Sequence, residues 1–190
     1  IALAEGHGAG FTPERFEKEI ANINHMSEAE LKELVESGKY VPSYMWNQNG
    51  WLCSKMKLHV TSQTQKCYPT THSEDLFSET LNATIKAGDP TGMRAVVTTE
   101  TEEGITFVTE CVGKVFAPDE FDRNDWTLVG EPETTISVNR PATVEMTCAT
   151  LVNRIPQLID APAGYVTTDQ YPYNEYCVHA LNTYVKSRNL

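Results

Sequence analysis

The sequence predicts an α+β fold: a mixed, largely antiparallel sheet covered by helices on one face. Three observations predict it. Apolar residues recur at helical spacing as far as Met56, alternate with polar ones from Leu58 to Val138, and return to helical spacing from Pro141. The strand-rich runs are joined by turn signals instead of helices, at Glu102-Glu103-Gly104 and at Gly130-Glu131-Pro132. Helices and strands are therefore grouped along the chain, and an α/β fold would alternate them. At 190 residues the chain suits one domain, 1–190, and shows no internal repeat or linker-like stretch.

Each element has a local reason. Thr12 can cap a helix that opens with Pro13 and Glu14, and Phe16, Ile20 and Ile23 follow at helical spacing. Ser27 and Glu30 form a capping box ahead of Leu31, Leu34 and Val35, with Gly38 as the stop. A third helix is expected over 42–56, interrupted at Asn49-Gly50. Leu58 to Cys67, Met93 to Thr99 and Ile105 to Val112 read as strands, the last two as a hairpin. Trp126 to Val129 and Thr134 to Val138 read as another strand pair. Val144, Cys148, Leu151, Val152 and Ile155 then form the apolar stripe of a helix that Pro156 should end. Ala161 to Thr168 reads as a loop, and Tyr176 to Val185 as a last amphipathic helix.

Composition excludes several functions. Fifteen Lys and Arg against 26 Asp and Glu give a formal net charge of −11, the wrong sign for a surface that neutralises phosphates or an anionic membrane. No apolar run approaches the ~20 residues of a transmembrane helix. Five scattered cysteines show no metal or redox spacing, which points to a reducing cytoplasm, and Cys53, Cys111 and Cys148 are expected to be small buried hydrophobes. The five histidines stand apart, and no metal site is expected. The first residues are not a signal peptide, because no basic region precedes an apolar core. The absence of an initial Met suggests that Ile1 is not the first residue translated.

Some residues can carry chemistry. Gly6, Gly8 and Gly10 imitate a dinucleotide-binding loop, but Phe11 stands where the third glycine belongs, so a loop feeding a capped helix is the plainer reading. The acidic clusters at Glu100–Glu103 and Asp119–Asp122 read as solvated loops. Around Trp46, Asn47 and Trp51 the mixture of aromatic and amide side chains suits a mainly apolar pocket with a few orienting groups; a half-exposed helix edge or a subunit contact is the alternative. Asn153 and Arg154 end an apolar helix just before a Pro/Gly loop that holds Tyr165. That pair is either a structural cap favoured by the helix dipole or an amide-and-guanidinium corner facing a ligand.

Leu151-Val152-Asn153-Arg154-Ile155-Pro156, with Ala161-Pro162-Ala163-Gly164-Tyr165-Val166-Thr167 close behind, resembles the C-terminal part of dihydrodipicolinate-reductase-like dehydrogenases. Among them it is most similar to the 2,4-diaminopentanoate dehydrogenase branch, to which native amine dehydrogenases are similar. Ala87-Gly88-Asp89, the hairpin from Met93 to Lys114 and Trp126 fit that branch's strand-rich segment, and 42–57 looks like its pocket-lining helix. The Ala-Gly-Tyr at 163–165 departs from the Ser-Gly-Thr motif of the reductases proper, which puts a lysine-pathway substrate in doubt.

The resemblance implies an intact enzyme that moves hydride between NAD or NADP and a carbon bearing an amine or imine. It implies that this chain is the substrate-binding part, inactive alone, with the N-terminal Rossmann domain and the catalytic acid lying elsewhere. Trp46, Asn47, Trp51, Asn153, Arg154 and Tyr165 would then meet an amine or amino-acid substrate, and the sheet would make a homodimer or higher homo-oligomer. A non-catalytic small-molecule-binding or assembly domain is the competing class.

Overall fold

Two long strands carry the first part of the molecule: β1 (Val60–Thr71) and β4 (Pro90–Thr101), paired antiparallel along nearly their whole length. β5 (Thr106–Lys114) adds to the other side of β4 through the turn at Glu102-Glu103-Gly104, giving a three-stranded sheet in the order β1-β4-β5. This is a computed structural model, and residues 2–186 are described. The chain forms two compact units, Ile1–Asp119 and Glu120–Leu190.

Alternation along the strands decides which face is covered. Gln65 and Cys67 on β1 lie opposite Val97 and Ala95 on β4, and all four are buried. Ile23, Ile20, Met26, Tyr40 and Met93 pack onto Cys67 and Ala95. The other face carries Tyr68, Arg94, Val108, Glu110 and Val112, all exposed, with Arg94 paired to Glu110 at 3.4 Å and lying over the Tyr68 ring.

Helices before β1 form as their caps require. α1 (Ala2–Gly6) opens the described chain where the sequence imitates a strand, and Ile1 lies outside the described residues. α2 (Pro13–Glu19) is capped by Thr12, whose side chain accepts from the Arg15 N–H, and a 3-10 turn spans Ala21–His25. α3 (Glu28–Glu36) carries both bonds of the Ser27–Glu30 capping box. α4 (Tyr44–Met56) is continuous through Asn49-Gly50. The expected interruption is absent because the Asn49 side chain bonds to Thr99 at 3.0 Å instead of to its own backbone. Two short strands, β2 (Leu76–Ser78) and β3 (Ala83–Ile85), form a separate hairpin whose length gives almost no periodic signal.

In the second unit β6 (Arg123–Leu128) pairs antiparallel with β7 (Thr134–Asn139), with a cis Glu131–Pro132 bond between them. α5 (Thr143–Ile159) follows. Pro156 lies inside this helix and does not end it. The last turn persists because the Gln157 side chain donates to the Tyr173 carbonyl at 3.0 Å and so ties that turn to the returning chain. The expected helix over 176–185 is a 3-10 turn, Leu181–Thr183, in an otherwise irregular segment. There the Cys177 N–H donates to Asn153 Oδ1 and the His179 N–H to the Tyr184 hydroxyl, so side chains satisfy donors that a helix would have paired with its own carbonyls. Cys53 and Cys67 are buried as small hydrophobes, whereas Cys148 is exposed.

Two glycines with left-handed backbone separate strain from packing. At Gly38 (φ +70) an added Cβ meets nothing, so Gly38→Ala should cost only the conformational penalty, about 1–2 kcal/mol. At Gly8 (φ +76) the Cβ falls 2.6 Å from Phe16 Cδ2, inside the cluster of Phe11, Phe16 and Ala21. Gly8→Ala should therefore cost more, about 3 kcal/mol in urea unfolding, because a buried ring must also move.

Candidate functional site

Ser43 starts α4 in two ways. Its hydroxyl accepts from the Met45 N–H at 3.4 Å, and its own N–H donates to Gln65 Oε1 at 2.8 Å, which pins the helix start to β1. Lys57, in the left-handed region at φ 58, ends the helix, its N–H shared between the Cys53 and Ser54 carbonyls.

Spacing then sorts the side chains. Trp46, Asn49 and Cys53 fall at i, i+3 and i+7 on one stripe, with Asn49 and Cys53 buried and Trp46 half-buried. Asn47 and Trp51, four apart, share another stripe; Trp51 is half-buried and Asn47 exposed. At 3.6 residues per turn Trp46 and Trp51 point about 140° apart. The helix thus presents two separate aromatic faces, and a single ligand-facing patch made of both Trp rings does not form on it.

Beneath α4 the contacts are polar. Gln63 Nε2 donates to the Trp46 carbonyl and to Thr99 Oγ1, both at 3.0 Å. Gln65 Nε2 donates to the Tyr40 hydroxyl at 2.8 Å. Asn24 brackets Cys67, donating to its carbonyl and accepting from its N–H, both at 2.8 Å. The Cys111 thiol donates to the Tyr44 hydroxyl at 3.1 Å.

Titratable groups here are held neutral. Burial raises the Tyr40 phenol well above its ordinary range, reinforced by the neighbouring Cys67. The Tyr44 phenol is pushed up to about 12, first by burial and then by its hydrogen bond with Cys111. Burial also raises the thiols of Cys53 and Cys67. These four groups can donate hydrogen bonds, and the buried Cys53 and Cys67 also exclude water; none is tuned toward neutrality for general acid–base work.

Sequence reasoning did not single out what fastens the far end of α4. His59 Nδ1 meets Glu103 Oε1 at 2.7 Å, the His59 N–H donates to Glu103 Oε2 at 3.0 Å, and the Glu102 N–H donates back to the His59 carbonyl at 2.9 Å. A histidine just past a helix and an acidic turn between two strands were visible, but their pairing needs the tertiary fold.

In the second unit Asn153 and Arg154 are half-buried on α5 and work as a strap. Arg154 Nη1 donates to Gln157 Oε1 and, at 2.8 Å, to the Pro172 carbonyl, and its guanidinium lies over Tyr171. The Asn153 side chain accepts from the Cys177 N–H at 3.3 Å. Tyr165 is 93% exposed on the loop beyond α5. An open groove of about 670 Å³ lies between the hairpin and α5, lined among others by Asn124, Val138, Pro141, Met146, Thr150 and Leu151. None of the sequence-predicted residues lines it. Its alternating and helical apolar positions were legible as core, and only the structure leaves them open.

No three His, Cys, Asp or Glu come together as a metal site among the described residues, and no helix among them is long and apolar enough to cross a membrane. Nor does the Gly-rich loop fit a dinucleotide. A helix precedes it, Gly8 is packed on Phe16 and Ile20, and its N–H groups are used internally, Gly8 to the Glu5 carbonyl and Gly10 to that of Pro90. A pyrophosphate needs those donors pointing outward.

The His59–Glu103 pair makes a pH prediction. Hydrogen bonding to Glu103, then the charges of Glu103 and Glu102, raise His59 above its ordinary 6.5; the same bond, then the backbone N–H of His59, lowers Glu103 below 4.5. The stability from His59 is full below pH 6.5 and is lost as pH rises through its raised value. That from Glu103 is full above pH 4.5 and is lost as pH falls through its lowered value. An NMR titration should find the His59 ring midpoint above 6.5, and Glu103→Gln should bring it down toward 6.5.

No family model and no curated protein matches the chain. Among solved structures it is similar to an amine dehydrogenase from Mycobacterium smegmatis, with 33% identity and a TM-score of 0.72 across 93% of this chain. The match covers 48% of that protein, so the chain spans about half the length of this relative. The likeness first read from α4, the β4–β5 hairpin and the Asn153-Arg154 segment thus extends over nearly all 190 residues, and it is a likeness to an amine dehydrogenase.

Proposed function

We propose that this chain is the substrate-holding and subunit-contact part of an oxidoreductase acting on amines. The nicotinamide dinucleotide, NAD or NADP, would be bound by a Rossmann domain that is not among these 190 residues. The observation that carries the reading is the 33% identity with an amine dehydrogenase over 93% of the chain. The polar support of α4 agrees with it, since a helix fixed by directional bonds can present side chains to a ligand with little play.

When bound, the dinucleotide supplies the hydride chemistry, and the residues of this chain bind, orient and exclude water. In the first unit Trp46 or Trp51 would wall an apolar pocket and Asn47 would orient a polar group; in the second, Tyr165 would offer its exposed ring to a ligand. Arg154 and Asn153 would keep the chain after α5 in place, and Arg154 would anchor a substrate carboxylate through guanidinium N–H groups other than those of Nη1, which serve Gln157 and Pro172. The exposed sheet face bearing Tyr68, Val108 and Val112 would meet a second copy. A non-catalytic binding domain is favoured instead by the open apolar groove of the second unit, which can hold a small molecule without any acid or base.

The test is turnover. The purified chain with NAD or NADP and a panel of amines and amino acids should form no reduced cofactor, and the longer protein that contains it should do so with at least one amine. Turnover by the chain alone, or failure of the longer protein to bind a dinucleotide, would overturn the reading. In the longer protein Arg154→Ala should lower kcat/KM for an amino-acid substrate about 10-fold or more beyond the loss it causes for an amine without a carboxylate, the shared loss reporting the strap.

A further inference from the structure

We propose that Asn49 and Thr99 are positioning residues that lock the rotation of α4, and with it the direction of Trp46. The geometry is a closed circuit of hydrogen bonds. Asn49 Nδ2 on α4 donates to Thr99 Oγ1 on β4; Gln63 Nε2 on β1 donates to the same oxygen and to the Trp46 carbonyl, back on α4. All three bonds are 3.0 Å, and the circuit leaves and re-enters the helix three residues apart. Turning or sliding α4 breaks both ends at once, which apolar packing would not enforce.

Burial shows that stability alone does not account for Asn49. Asn49 and Thr99 are both fully buried, yet Asn49 Oδ1 has no hydrogen-bond partner. A buried amide left half satisfied is worse for stability than an apolar side chain of fitting size, and such groups are retained where they specify one arrangement among several. Here the arrangement specified is the face of α4 that carries Trp46. This deepens the proposed function, since it names what holds a candidate pocket residue in place, and it rests on that reading only for its purpose.

The test reads the helix and not the reaction. The full chain is labelled with 5-fluorotryptophan, and the Trp46 line is assigned among the three Trp by Trp46→Phe. In the parent, Trp46 should give one sharp 19F resonance. Thr99→Val, which removes the hydroxyl at nearly constant volume, should split or broaden it, and so should the double change Asn49→Ala with Thr99→Val. Thr99→Ser, which keeps the hydroxyl, should restore the single line. One unshifted Trp46 line in Thr99→Val, or in the double variant should the first fail to fold, would overturn the proposal. Splitting of the line in Thr99→Val as expected, together with failure of the longer protein that contains this chain to turn over any amine, would count against the proposed function and leave the lock standing.

Discussion

A seam of amide and hydroxyl groups joins the helical layer of the first unit to its sheet, and the rest of that unit depends on it. Gln65 and Thr99 stand at inward positions of β1 and β4 where Val or Ile would serve an ordinary core, and Gln63 lies beside them, half-buried. They bind Tyr40, the Ser43 N–H, Asn49 and the Trp46 carbonyl. Each such bond adds only about 0.5–1.5 kcal/mol net, so the seam contributes less as stabilisation than as direction. Asn24 extends the same logic to the free edge of β1. Its amide occupies the N–H and the carbonyl of Cys67 as a neighbouring strand would, satisfying the edge at that one residue.

Under the proposed function this construction would serve a surface that holds rather than reacts. Around α4 the Cys53 and Cys67 thiols are buried, Tyr40 is half-buried and Tyr44 is exposed, and all four are held protonated, so they offer shape and hydrogen-bond donors. Hydride transfer asks its host for positioning and exclusion of water, while the electron pair comes from the cofactor. The solved relative, about twice the length of this chain, is an amine dehydrogenase.

The second unit is built differently. Its hairpin is exposed on all twelve strand residues, Trp126 faces Ile136 across the pair, and among the residues of α5 only Pro156 is buried. Order there comes from α5 side chains that bond the backbone of the returning segment, through Asn153, Arg154 and Gln157, and from the Asn174 side chain, which donates back to the Thr150 carbonyl. The Asn-Arg pair, equally readable as a cap or as a ligand corner, serves in this structure as that strap.

Local chemistry was legible in the chain itself. Thr12 and Ser27 mark helix starts because their side-chain oxygens reach N–H groups three residues away, and Glu102-Glu103-Gly104 marks a hairpin because Gly104 takes the left-handed turn at φ +78. The grouping of helices and strands followed from where the apolar period changes, and the α+β class followed from that. The sequence likewise marked α4 as unusual, through its amides and aromatic rings. Only the tertiary structure decided which way those rings point, that Asn49 serves the sheet instead of breaking its helix, that Pro156 is passed over, and that 176–185 stays irregular. For Asn49, Pro156 and the chain at Cys177 a deciding partner lies far along the chain, as Thr99 does from Asn49, Tyr173 from Gln157 and Asn153 from Cys177. Spacing along a chain reports neighbours one turn or one strand step apart, and it carries no trace of a hydrogen bond made across the fold.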